Sequence, residues 1–305
     1  ILQGDWSSDV CSSDLLILTT AVYSLGQTVQ DKYIKITILH TNDTHSRIEP
    51  FPMDGSRNQG LGGVAKRAEV IRNIREENEH VLLLDAGDYF QGTPYFNFYS
   101  GELEIMLMNE LGYEVATIGN HEFDLGLDNL ARQLGKAKFQ IVNANYGIED
   151  TPLEGILKPY TIIRKGPIRI GVFGLGVEMR GLVPEKFIGN TIYNDPVLAA
   201  NETAAYLKNE EKCDYVICLS HLGLEYDDAT ASDLVIAKNS QNIDLVIGGH
   251  THSFLNEPIR VMNAIGKEVL INHAGWGGII LGRIDVFFEP KTLNKWFKSE
   301  NIKID

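Results

Sequence analysis

Five short polar motifs hold most of the side chains in this chain that could do chemistry. They are Asp43-Thr44-His45, Gly87-Asp88, Gly119-Asn120-His121-Glu122-Phe123-Asp124, Ser220-His221-Leu222-Gly223 and Gly248-Gly249-His250-Thr251-His252. Together they offer two aspartates, an asparagine and several histidines, a donor set that suits two divalent ions. Such a pair of ions turns bound water into a nucleophile near neutral pH and clamps a phosphoryl group during in-line displacement. Each motif is weak alone. Asp43 could cap a turn, Asp88 could form an Asx-turn, and Asn120 could cap a helix ahead of a surface His121. His221 could be a satisfied structural residue at a strand end. The conjunction carries the reading, because five such strings in equivalent positions of one chain rarely coincide.

Spacing within the motifs adds detail. Asp43 and His45 would project to the same side of an extended chain and could hold one ion together. Gly87 lets the backbone turn sharply before Asp88, whose two carboxylate oxygens could bridge two ions. Asn120 offers a neutral carbonyl oxygen. Asp124, three residues after His121, falls beside the imidazole in a helical turn, where it would fix the ring and raise its basicity. His250 and His252 could serve different ions. His40, His80 and His273 have no such context and are assigned to structure or surface.

These residues must be carried to one edge by regular elements. From Tyr33 onward, apolar runs at 34–39, 81–84, 115–118, 139–142, 168–173, 215–219, 245–247, 269–271 and 279–288 read as strands. Val64, Ala68, Ile71 and Ile74 recur at helical spacing, with Lys66, Arg67, Arg72 and Arg75 mostly on the other face. Helices are also expected near 102–111, 127–134, 196–211 and 228–239, with Asp195-Pro196 as cap and first turn of the one at 196. Alternation of this kind argues α/β layers. The runs 269–271 and 279–288 read as an antiparallel pair, which favours a two-sheet sandwich over a single parallel sheet. Ligands of open α/β sheets bind outside the carboxyl ends of the strands, where all five motifs sit.

Composition sets bounds. The 305 residues are 44% apolar and 22% charged, ordinary for a globular protein. A net charge of −14 argues against nucleic-acid binding, which normally shows a basic face. It leaves a phosphate ester open as substrate, because two divalent ions would make the site itself positive. Cys11, Cys213 and Cys218 make no disulfide framework; the last two flank a strand and are expected to be buried thiols on opposite faces. Residues 1–14, acidic and without Lys or Arg, read as an artefact. Residues 15–32 read as a signal-peptide remnant and linker, with an apolar run too short to span a bilayer. Residues 33–289 are the expected catalytic domain and 290–305 a C-terminal tail. No other segment is apolar enough for a membrane span. A periplasmic or secreted location is expected.

The strings Leu39-His40-Thr41-Asn42-Asp43-Thr44-His45, Leu84-Asp85-Ala86-Gly87-Asp88, Gly119 to Asp124 and Gly249-His250-Thr251-His252 carry a resemblance. The stretch from Ala274-Gly275 to Leu281-Gly282-Arg283 fits it too. Over about residues 33–288 the chain resembles the metallophosphoesterase (calcineurin-like) domain of the 5′-nucleotidase and UDP-sugar hydrolase family. The resemblance implies a four-layer αββα sandwich and a 5′-nucleotidase-type phosphomonoesterase using a two-metal-activated hydroxide. It implies a first ion on Asp43, His45, Asp88 and His252, and a second on Asp88, Asn120, His221 and His250. His121 and Asp124 match the catalytic dyad. Mixed nitrogen and oxygen donors suit Zn, Mn or Fe. The implied substrate is a nucleoside monophosphate or related phosphate ester. Hydrolysis of UDP-sugars or 2′,3′-cyclic nucleotides, and a non-catalytic metal-binding module, are the alternatives. Family members carry a further C-terminal domain that binds the nucleobase. The chain ends about where that domain would begin, so a truncation or a separate partner chain carrying it is expected.

Overall fold

The computed structural model describes residues 33–305. The expectations for residues 1–32, Cys11 among them, lie outside the described residues.

The chain opens in a parallel array of β1 (Ile34–Thr41), β2 (Val81–Asp85), β3 (Val115–Ala116) and β4 (Gln140–Ile141). A short antiparallel pair, β5 (Tyr146–Gly147) with β8 (Ile192–Tyr193), stands apart. The second sheet contains β6 (Tyr160–Lys165), β7 (Ile168–Gly176), β9 (Tyr215–His221), β10 (Leu245–Gly248), β11 (Ile259–Met262) and β12 (Glu268–His273). Its order is β11-β12-β10-β9-β7-β6, with a parallel centre and antiparallel edges. The chain then returns to the first sheet as β13 (Ile280–Phe288) and β14 (Lys295–Lys303), giving the order β14-β13-β1-β2-β3-β4.

The helices are α1 (Val64–Glu77), α2 (Pro94–Tyr99), α3 (Glu102–Leu111), α4 (Leu127–Leu134), α5 (Glu185–Ile188), α6 (Pro196–Asn209) and α7 (Asp233–Asn239). α6 starts where its sequence directs: the Asp195 carboxylate accepts from the Val197 and Leu198 N–H groups, and Pro196 occupies the first turn. Leu39, Val81 and Leu83 pack with Ile71, Ile74, Ile105 and Leu130 of the helices beside the first sheet. Val216, Cys218 and Val246 pack with Ala200, Leu207 and Ile236 of those beside the second. The alternate residues Leu82, Leu84, Ile217, Leu219 and Ile247 are just as buried and point to the opposite faces of their sheets. There the sheets meet: a Cβ on Gly174 of β7 would collide with Val142 O and Thr117 Oγ1. The architecture is a four-layer αββα sandwich. Each side chain moved from water into these layers contributes about 1.5–3 kcal/mol.

By internal contacts the chain divides into a small unit, whose described residues are 33–35 and 287–296, and a large one, 36–286 and 297–305. In the small unit Trp296 stacks on Phe287 at 3.9 Å and receives the edge of Tyr33. The large unit carries all five motifs. Among the described residues no helix is long and apolar enough to cross a membrane.

Several expectations are corrected. The runs 269–271 and 279–288 do not pair: β12 lies in the second sheet and β13 in the first. Gly275, Gly277 and Gly278, all at positive φ, swing the chain between the sheets. Arg67, expected on the outer face of α1, is buried at 4% exposure, in space left by Gly278. α7 begins at 233 rather than 228, because the Asp228 carboxylate accepts from the Thr230 N–H in a turn that precedes it. Residues 290–305, read as a tail, include β14. Cys213 and Cys218 are unpaired and buried but share one apolar cluster, since Cys213 precedes β9 and escapes its alternation.

Candidate active site

The motifs converge at the carboxyl ends of β1, β2, β3, β9 and β10. Three sets of side chains bring ligand atoms within 4.8 Å of one another: Asp43, His45 and His252; His45, Asp88 and His121; Asp88, His221 and His250. His45 Nε2 lies 2.9 Å from His252 Nε2, and His252 Nε2 lies 3.4 Å from Asp43 Oδ1. His221 Nε2 lies 3.0 Å from Asp88 Oδ2 and 4.0 Å from Asp43 Oδ1. His250 and His252 fall in different sets.

Backbone conformation makes this crowding possible. Asp43, His45, Asp88, His250 and His252 all have left-handed φ, at 47°, 48°, 56°, 72° and 53°. Asp43 and His45 therefore meet through a tight turn, not through the extended chain expected for a two-residue spacing. Non-glycine residues rarely adopt this region, and such clusters mark sites that the surrounding structure holds in place. Glycine is needed where backbone closes on the ligand atoms: a Cβ on Gly119 would collide with Asp88 Oδ1 and His221 Nε2.

Several of these side chains are fixed from behind. The Asp43 carboxylate accepts from the His250 N–H at 3.0 and 3.1 Å and from Asn42 Nδ2 at 2.6 Å. Asp88 Oδ1 accepts from the His121 N–H at 2.9 Å. His221 Nδ1 donates to Ala86 O at 2.7 Å, which sets its tautomer and turns Nε2 toward the carboxylates. His252 stacks on Trp276 with ring centroids 5.8 Å apart. His121 and Asp124 meet as expected, with Nδ1 donating to Oδ2 at 2.8 Å across a 3₁₀ turn at His121–Phe123. The other histidines stand elsewhere: His40 and His273 are buried, and His80 lies beside Glu79.

The electrostatics call for positive charge. Burial disfavours a charged His221, yet Asp88 and then Asp43 outweigh it and raise its pKa to about 10. The hydrogen bond that His121 donates to Asp124, working against burial, lifts the His121 pKa to about 9. Burial and then the His221 charge push His250 down to about 4. The carboxylates thus favour positive charge beside them at His221, the kind of charge a divalent ion would supply. A buried atom points the same way: Asn120 Oδ1 has no hydrogen-bond partner among the described residues. It is a good ligand atom, and leaving such a group buried and unpaired costs about 1–3 kcal/mol. The residues present fit divalent metal ions.

Three contributors were not singled out from sequence. Glu122 is buried and accepts from the Asp88, Gly119 and Phe90 N–H groups, joining the second and third motifs. Burial, then the nearby Asp88 charge, raises its pKa to about 8. Asp85 accepts from Thr41 Oγ1 and the Gly87 N–H; burial raises its pKa to about 7. Asn42 donates to Gly275 O and accepts from the Ala274 N–H, tying the sheet-crossing loop to β1. Their signal was a polar residue at or just beyond the end of an apolar run, inside or next to a string already noted.

Comparison with known proteins places this geometry. The calcineurin-like phosphoesterase family matches residues 36–254. A snake venom 5′-nucleotidase from Crotalus adamanteus is 34% identical over 92% of this chain and 50% of its own length. A 5′-nucleotidase from Bos taurus is 34% identical over 84% of this chain and 47% of its own. The crystal structure of a 5′-nucleotidase precursor from Thermus thermophilus superposes with a TM-score of 0.78 at 32% identity, covering 89% of this chain and 55% of that one. The chain spans about half the length of the curated relatives it matches. With the family matched across most of its residues, the chain belongs to the calcineurin-like phosphoesterases.

Proposed function

We propose that the chain hydrolyses phosphate monoesters with two divalent ions, and that nucleoside 5′-monophosphates are its substrates. One observation carries the reading: Asp88 and His45 each belong to two ligand sets, beside an Asn120 Oδ1 that is buried without a partner among the described residues. Asp43, His45, Asp88 and His252 would hold one ion, and Asp88, Asn120, His221 and His250 the other. When bound, such ions lower the pKa of water and neutralise phosphoryl charge.

The chain's own residues supply orientation and a proton. Because His121 Nδ1 donates to Asp124, only Nε2 can face a substrate. Raised basicity keeps that ring protonated at neutral pH, ready to donate to a phosphoryl or leaving oxygen. Asp124 holds the ring's orientation. Glu122 positions Asp88 through its N–H. A secreted or periplasmic location and recognition of the nucleoside by a further domain, on this or a partner chain, belong to the same reading. The venom and bovine 5′-nucleotidases support the substrate class.

The test is hydrolysis of p-nitrophenyl phosphate, AMP, UDP-glucose and a 2′,3′-cyclic nucleotide by chelated protein, then with Zn²⁺ or Mn²⁺ restored. We expect metal-dependent turnover of the first two. Turnover of p-nitrophenyl phosphate alone would keep the phosphoesterase and make the further domain a requirement for nucleotide turnover. Preference for UDP-glucose or the cyclic ester would replace the substrate class. No turnover with any metal in a folded sample would leave a metal-binding module.

A further inference from the structure

Two buried polar groups take no part in the chemistry above. Asp233, the first residue of α7, and His273, the last of β12, have no exposed surface and are joined by a 2.6 Å hydrogen bond from Nε2 to Oδ2. Their remaining atoms, Asp233 Oδ1 and His273 Nδ1, have no partner among the described residues. A polar pair held this deep with half its capacity unused is costly, and its place in the structure needs a reason.

That place is directly under the metal-facing turn. A Cβ on Gly248 would overlap both Asp233 Oδ2 and His273 Nε2, so the pair rests against the last residue of β10. Gly248 lies in register between Ser220 of β9 and His273 of β12. The chain then runs straight into Gly249-His250-Thr251-His252. Beyond Gly248 the turn is tied by the Gly249 N–H to Ser220 O, the His250 N–H to Asp43, and Thr251 Oγ1 accepting from the Leu224 N–H. The Asp233 N–H donates to Gly223 O, two residues beyond His221. One buried pair thus touches the base of the turn bearing His250 and His252 and, through α7, the loop that follows His221.

We propose that the Asp233–His273 pair positions the turn at 248–252: it fixes where Gly248 sits, and so where His250 and His252 point. The inference rests on the reading of those two histidines as metal ligands. Neither Asp233 nor His273 reaches an ion or substrate, so both are positioning residues. A pair serving stability alone would leave metal affinity unchanged once the protein has folded.

The experiment compares wild type, His273→Leu, which deletes the donor, and His273→Gln, whose amide N–H can still reach Asp233. Zn²⁺ and Mn²⁺ stoichiometry and affinity are measured by calorimetry on chelated protein, beside thermal melting of the metal-free forms. We expect two ions on wild type, affinity weakened about 10–100-fold in His273→Leu, the scale of lost outer-shell support, and recovery to within about threefold in His273→Gln. A His273→Leu protein that melts lower yet binds both ions as tightly as wild type would overturn the proposal. So would equal loss in His273→Gln. Should His273→Leu not fold, Gly248→Ala keeps both polar groups and displaces them, and wild-type affinity there would overturn the proposal equally. His250→Ala separates the premise: unchanged binding of two ions in that variant would remove His250 as a ligand, and the proposal with it.

Discussion

The two sheets bring different chemistry to the same edge. The first contributes Asp43, Asp88 and Asn120 with His45, a mainly oxygen set. The second contributes His221, His250 and His252, nitrogen only. The support is exchanged: Asp43 is held by a backbone N–H of the second sheet's turn, and His221 by Ala86 O of the first sheet's. Neither edge is a site until the sheets have packed. Burial differs as well. Asp43 has no exposed surface and neither does His221, whereas the His252 side chain is 41% exposed. The oxygen side is uniformly buried, while the nitrogen side grades from buried to accessible.

The sharpest way to break this division is at the residue shared between sets. Asp88→Ala should abolish binding of both ions and lower kcat on the order of 10⁴-fold, several kcal/mol of lost charge stabilisation. Metal analysis showing one tightly held ion in that variant would limit Asp88 to a single set. His121→Ala should leave metal content intact and cut kcat by roughly 10²–10⁴, the scale of a general acid. Full turnover in steady-state assays would remove it from the chemistry. Within the nitrogen side, His221→Ala should weaken metal binding about tenfold more than His252→Ala, because the buried position cannot recruit water as a substitute ligand. Equal losses in titrations would dissolve the gradient between buried and accessible donors. The smallest effect is expected behind the oxygen side. Glu122→Gln turns one acceptor into a donor facing backbone N–H groups and should cost about 1–3 kcal/mol by denaturant unfolding. An unchanged midpoint would show that Glu122 does not brace Asp88.

Much of this is legible in the sequence. The five motifs stand at strand ends because buried strands read as continuous apolar runs, and the polar residue that follows each run is conspicuous. α3 and α4 begin and end where their patterns indicated. Other features could not be read in one dimension. Whether the runs before and after 275 pair depends on three glycines at positive φ, and hydrophobicity does not encode which sheet a strand joins. β14 escaped notice because an exposed edge strand carries little alternation, as Lys295–Lys303 illustrates. Arg67 lies four residues before Ile71 and seven before Ile74, so helical spacing itself puts it on the buried face; its charge hides this, and the missing side chain of Gly278 makes room for its guanidinium. Glu122 sat in full view inside its motif, but its role depends on N–H groups brought in from residues 88 and 90.

The five left-handed residues at the site have one more consequence. Each holds a conformation costing a non-glycine residue about 1–2 kcal/mol. Glycine at His45, His250 or His252 would relieve that cost and delete the ligand atom with it, whereas at Asp43 or Asp88 it would also strand the N–H groups their carboxylates accept from. Random mutagenesis selected for heat resistance alone should therefore collect changes at those histidines and yield sturdier, inert proteins. The most durable form of this chain and its working form are different sequences.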